Sequence, residues 1–107
     1  MTFDDFQAAS RRTSAVPWDE RPGERLLVQT LGLCGEAGEL ADMVKKSAWH
    51  GQPLLRERVA DEIGDILWYL SDLATACGLT LDQCAAGNIA KLNRRYPEGF
   101  VTGGGMR

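Results

Sequence analysis

The chain has 107 residues, 44% of them apolar and 25% charged, and a net charge of −3. That length supports one hydrophobic core rather than two, and the balanced charge argues against the broad basic footprint of a nucleic-acid binder or a membrane-surface protein. No basic stretch leads into an apolar one at the start and no later run can cross a bilayer, so the expected location is the cytoplasm.

Thr2 is placed to cap a first helix of about a dozen residues that ends before Pro17. Residues 15–23, with Pro17, Trp18 and Pro22, read as a loop, and Pro22 suits the first turn of a long second helix reaching about Ser47. In that helix Leu33, Ala37, Leu40 and Val44 form one apolar stripe, and Leu27, Leu31 and Cys34 a second edge, which predicts burial on more than one side. Gly51 and Pro53 mark the next loop. Leu55, Val59, Ile63, Ile66, Leu70, Leu73 and Cys77 then give an unbroken helical stripe that Gly78 terminates. Thr80 and Gln83 form a capping box for a fourth helix ending before Pro97. The prediction is an all-α domain, a bundle of about four helices over residues 1–100, followed by a frayed tail over 101–107 with three consecutive glycines. Cys34, Cys77 and Cys84 fall at apolar helical positions without a Cys-x-x-Cys pair, which predicts buried reduced thiols.

Inside this apolar framework sit two carboxylate pairs, Glu36 with Glu39 and Glu62 with Asp65, each spaced i, i+3. On a helix that spacing puts both carboxylates on one face, one turn apart, and two such helices lying antiparallel would gather four. Like charges so placed repel, and burying them costs more, unless a hard divalent cation takes up the charge. A single such pair is ordinarily a solvated face. Two pairs, both at the margin of apolar stripes, point instead to an oxygen-ligand metal site, with magnesium the expected ion. Gly32, Gly35 and Gly38 each cost roughly 1 kcal/mol relative to Ala in a helix interior. They permit either close helix packing or open space beside the carboxylates, and Gly64, between Glu62 and Asp65, is subject to the same alternatives.

The fourth helix carries a second constellation. Leu81, Ala85, Ile89 and Leu92 set its apolar face, Asn88 falls in the same arc, and Lys91 and Arg95 continue the row along one edge. An amide, an ammonium and a guanidinium in line suit the oxygens of a polyphosphate. The alternative is a basic helix end that complements the macrodipole. Arg94 points the other way.

The strings LGLCGEAGEL (31–40), DEIGDILWYL (61–70) and NIAKLNRRYPEGF (88–100) resemble the MazG-like nucleoside triphosphate pyrophosphohydrolases. The resemblance implies an all-α fold assembled as a homodimer or homotetramer, and hydrolysis of a nucleoside triphosphate to the monophosphate and pyrophosphate in pool sanitation or regulation. It implies Glu36, Glu39, Glu62 and Asp65 as ligands of magnesium, with manganese as a substitute, and Lys91, Arg95 and Lys45 or Lys46 against the leaving group. Trp49 and His50 at the end of the second helix, and Trp68 three residues past Asp65, are candidates for the base. Members often carry a further Glu directly before the first ligand, where this chain has Gly35. A di-iron bundle would need Glu-x-x-His motifs, which the lone His50 does not supply. A non-catalytic nucleotide-sensing or helical interaction module keeps the same fold and is separated from an enzyme by pyrophosphate release.

Overall fold

The computed structural model describes residues 1–14 and 19–100. Among them the chain forms four helices and no strand: α1 (Phe3–Arg11), α2 (Pro22–His50), α3 (Arg56–Ala76) and α4 (Leu81–Arg95). The expected tail lies outside the described residues, as do residues 15–18 of the first loop. No helix among the described residues is long and apolar enough to cross a membrane.

The helix ends follow from local chemistry. At Thr2 the hydroxyl accepts from the Asp5 N–H and the Asp5 carboxylate accepts from the Thr2 N–H, both at 3.0 Å, so α1 opens on a reciprocal cap. It is shorter than expected and stops at Arg11. α2 continues past Ser47 to His50, because nothing before Gly51 turns the chain. α3 closes at Gly78, whose φ of 71° favours glycine. There the Leu79 N–H donates to the Ala74 carbonyl at 2.8 Å and the Gly78 N–H to that of Thr75 at 3.1 Å. α4 opens on the expected Thr80 and Gln83 capping box, with bonds of 2.9 and 3.0 Å.

α3 is the central element. α2 packs along it, α1 packs on it, α4 touches α1 and α3, and among the described residues α2 meets neither α1 nor α4. Progress along α2 meets α3 in descending order, which identifies an antiparallel pair. Arg25 donates to Asp72 through Nη2 at 2.6 Å and Nε at 3.0 Å, and Gln29 adds a third bond at 2.9 Å. One turn on, the Tyr69 ring lies against Gly32 so closely that a β-carbon there would overlap it. A further turn brings Glu36 beside Glu62 and Asp65. Of the two readings open for the glycines, Gly32 serves close packing, whereas Gly35, Gly38 and Gly64 have open space where a side chain would stand.

α1 is held by a polar seam. Gln7, 6% exposed, donates to the Thr75 hydroxyl at 2.9 Å and the Leu79 carbonyl at 3.0 Å, and its Oε1 accepts from the Leu81 N–H at 2.8 Å. One amide thus satisfies groups at the end of α3 and the start of α4 that helix geometry leaves orphaned. Ser10 bonds Ser71, the most buried side chain, at 2.9 Å, and the Trp68 indole N–H donates to the Thr13 hydroxyl at 2.7 Å.

Two expectations about burial do not hold within the chain, and the polar row of α4 is exposed as well. Among the described residues α2 is covered on one side only, because α3 is its sole helical neighbour there, and Leu27 and Leu31 are both 62% exposed. Cys34, Cys77 and Cys84 are exposed free thiols for the same lack of a covering element. Asn88 is exposed, since the middle and end of α4 have no helix over them, and Ile89 beside it is 57% exposed. Among the described residues the buried apolar side chains are Ala74 and Leu81. The radius of gyration, 17.0 Å, exceeds the roughly 13 Å of a compact domain near this size.

Burial by itself raises the pKa of the Asp72 carboxyl, but the hydrogen bonds from Arg25 and Gln29 and the neighbouring positive charge outweigh it and hold the group below its ordinary 3.8. A carboxylate depressed in the folded state stabilises the fold fully above its unfolded pKa and loses that contribution as pH falls through the folded value. Thermal melts against pH are therefore expected to show a falling acid limb that Asp72→Asn flattens. At neutral pH, Asp72→Ala leaves Arg25 without its partner and is expected to cost about 3 kcal/mol in denaturant unfolding.

Candidate functional site

The antiparallel register places Glu36 of α2 opposite Glu62 and Asp65 of α3, and one carboxylate oxygen of each lies within 4.8 Å of the others. Ionised, these groups are poorly accommodated. Glu36 Oε2 and Glu62 Oε2 are buried and have no hydrogen-bond partner. Hydrogen bonding between the Glu36 and Glu62 carboxyls through their other oxygens first, then burial, then the charges of Glu39, Glu62 and Asp65 push the Glu36 carboxyl up to about 7. Two arrangements relieve such a cluster: a shared proton or a cation that accepts the free oxygens. The donor set is all carboxylate oxygen, which fits a hard divalent ion.

Glu39 is not one of the three clustered residues. One turn beyond Glu36, it is exposed and lines a cavity of about 430 Å³ that opens beside the cluster. Gly35 and Gly38 provide its floor along α2, Glu62 and Arg58 form the α3 side, and Gln52, Pro53, Leu54 and Leu55 of the connecting loop close one end, with Met43, Asp42 and Lys46 at the rim. The absence of side chains at Gly35 and Gly38 is what keeps this space open.

The remaining residues singled out in the sequence are distributed unevenly around this centre. Lys46 lines the cavity, but its ammonium lies 2.8 Å from Asp42, and Lys45 lies 3.4 Å from the same carboxylate. Trp49 and His50 form the last turn of α2, with Trp49 82% exposed, and neither lines the cavity. Trp68 is engaged by Thr13 and stacks edge-on with Tyr69 at 5.1 Å, also away from the cavity. Asn88, Lys91 and Arg95 are exposed on α4, and no α4 residue reaches the cavity of its own chain. Sequence reasoning missed Arg58, although its place one turn before Glu62 is legible in the spacing. It also missed Gln52 and the loop wall, which no periodicity indicates.

Residues 26–100 match the family model described as the MazG nucleotide pyrophosphohydrolase domain. The chain is 33% identical to the Gene 37 protein of Mycobacterium phage L5 over 111 residues, covering 98% of this chain and 97% of that protein. It is 34% identical over 88 residues to dCTP pyrophosphatase 1 of Bos taurus, covering 75% of this chain and 50% of the other. The rat protein of the same name is 32% identical over 88 residues. The chain thus spans about half the length of these pyrophosphatases. No solved structure matches it at comparable significance.

The electrostatic strain in the cluster has a measurable consequence. In a metal-free, chelated buffer well above pH 7, where the Glu36 carboxyl is ionised, Glu36→Gln removes one repelling charge while keeping the shape of the side chain, and it is expected to melt at a higher temperature than the wild type with unchanged helicity. A lower melting temperature would mean that the Glu36 carboxylate stabilises the helix pair.

Proposed function

Since the chain belongs to the MazG nucleotide pyrophosphohydrolase family, we propose that it hydrolyses a nucleoside triphosphate between the α and β phosphates, giving the monophosphate and pyrophosphate. The proposal includes a divalent cation, magnesium with manganese as a substitute, held by Glu36, Glu62 and Asp65 with Glu39 completing the set. The observation that carries it is the pair of buried, unpartnered oxygens on Glu36 and Glu62 next to a nucleotide-sized cavity. When bound, such an ion neutralises carboxylate and phosphate charge and makes the α-phosphorus more electrophilic. A carboxylate not fully committed to the ion, Glu36 or Glu39, is proposed to orient the attacking water and take its proton, and the exposure of Glu39 at the cavity wall favours it. The cavity floor at Gly35 and Gly38 admits the phosphate chain where any side chain would obstruct it. Trp49 and His50, exposed just past the cavity on α2, are proposed to meet the base. Free nucleotides in the cytoplasm, rather than nucleic acid or a membrane surface, are the proposed partners, with pool sanitation or regulation as the role. The similarity to dCTP pyrophosphatases puts dCTP first among substrates to test.

We also propose that the working unit is a homodimer or larger homo-oligomer. Leu27, Leu31 and Val44 on α2, Ile63 and Leu70 on α3, and Ile89 and Leu92 on α4 are all exposed, more apolar surface than a stable monomer of this size ordinarily shows. The row Asn88, Lys91 and Arg95 does not reach the cavity of its own chain, and α4 of a second copy is proposed to supply it.

A panel of nucleoside triphosphates tested with magnesium and with manganese is expected to give pyrophosphate and monophosphate, and Glu39→Gln or Asp65→Asn to abolish turnover with helicity retained. Absence of pyrophosphate release across the panel would favour the non-catalytic module. Lys91→Ala is expected to lower kcat/KM about 10- to 1000-fold, roughly 1.4 kcal/mol for each tenfold, with little change in Tm, whereas Arg94→Ala leaves kinetics near wild type. Sedimentation at micromolar concentration is expected to show no active monomer. Mixing the Asp65→Asn chain with the Lys91→Ala chain is expected to restore part of the activity, which happens only when one site draws on two chains.

A further inference from the structure

We propose that Arg58 is the cation of this chain that grips the β and γ phosphates of the nucleotide. The inference deepens the pyrophosphohydrolase reading above and rests on it. Two cationic side chains line the cavity, Lys46 and Arg58, and their states differ. The Lys46 ammonium is 2.8 Å from Asp42 Oδ2, at a spacing of i, i+4 along α2. Arg58 has no ion pair or hydrogen bond from its guanidinium among the described residues. Its position makes that state informative. Glu62 stands four residues on, the spacing at which an arginine and a glutamate on one helix commonly pair, yet they do not pair here.

Arg58 thus lines the cavity with its guanidinium donors unpaired among the described residues, and a guanidinium is a planar fork that matches a phosphate group in bidentate fashion. One helical turn, about 6 Å of rise, separates Arg58 from Glu62 along α3. A nucleotide whose α phosphate lies at the carboxylate cluster extends its remaining phosphates over that distance, toward Arg58 and the loop wall formed by Gln52 and Leu55. As the α–β bond breaks, the departing pyrophosphate gains negative charge, and a guanidinium on it stabilises that charge where it develops. Lys46, at the cavity rim, is paired with Asp42, whereas the Arg58 guanidinium has no such partner among the described residues.

The test uses calorimetric titration of the full chain in magnesium with two ligands, a triphosphate whose α–β bridging oxygen is replaced by methylene, and the corresponding monophosphate. Arg58→Ala is expected to weaken the triphosphate analogue about 10- to 100-fold, roughly 1.4 to 2.7 kcal/mol, and to leave the monophosphate unchanged. Arg58→Lys is expected to recover only part of the loss, since an ammonium lacks the fork. Arg56→Ala, against Val59 and Ile63 on a different surface of α3, serves as the control and leaves both ligands unchanged. Wild-type affinity for the triphosphate analogue in Arg58→Ala, or an equal loss for both ligands, overturns the assignment. A wild type that binds the analogue but releases no pyrophosphate from any triphosphate overturns the hydrolase reading alone, and the titrations still decide Arg58.

Discussion

Asp72 sets the register on which everything else in this chain depends. Its carboxylate, 6% exposed, receives three hydrogen bonds from Arg25 and Gln29 and so fixes one end of α2 against the far end of α3. The two helices then run antiparallel, the Tyr69 ring fits over Gly32, and Glu36 arrives opposite Glu62 and Asp65. Apolar stripes alone specify such a pair weakly, since a helix can slide by a turn and still bury aliphatic side chains. A charged group that must be satisfied in one place cannot slide, because leaving it buried and unpaired is far costlier than any packing gain. The polar seam of Gln7, Ser10 and Ser71 does the same for α1, and through Leu81 for the start of α4.

This arrangement tolerates a destabilising centre. Three carboxylates within 4.8 Å, two with buried unpartnered oxygens, oppose the helix pair at its middle. The pair is held by the Asp72 clamp at its end and by the Tyr69 contact between that clamp and the cluster, so the repulsion is opposed by contacts within three turns on one side of it. Proteins commonly break local rules at functional sites and compensate elsewhere. Here the compensation and the strain lie on the same two helices, a few turns apart. Gly35 and Gly38, unfavourable in a helix by propensity, add to the same pattern: their small size leaves open the cavity beside the carboxylates.

The chain also presents more apolar surface than it covers. Among the described residues α2 has a single helical neighbour and α4 extends past α1 and α3, so the stripes that periodicity marks as core are left half-exposed. Amphipathic helices hold their apolar faces against something in the working protein. The proposed second copy would supply such a surface with the same pattern, and it would also carry a second row of Asn88, Lys91 and Arg95 to a cavity that lacks α4 residues of its own.

The sequence by itself determined the helices, because caps, glycine stops and the 3.6-residue period are local: Thr2, Gly78 and the Thr80 and Gln83 box all act within a few residues of where they stand. It determined the family as well, and the carboxylate pairs, whose i, i+3 spacing is a local property of one helix. The tertiary structure alone decided how those pairs meet. Glu36 falls with Glu62 and Asp65 while Glu39 turns to the cavity, a division set by the Asp72 register that no spacing within α2 contains. It decided that Gly32 is a packing contact and Gly35 and Gly38 are open space, since the difference lies in whether Tyr69 stands opposite. It decided that Asn88 and the three cysteines are exposed, because a helical stripe records which face is apolar and not whether its own chain covers that face. Arg58 beside Lys46 illustrates the same point: two basic residues of similar appearance in the sequence, of which one is paired with Asp42 four residues away and the other has no ion pair among the described residues.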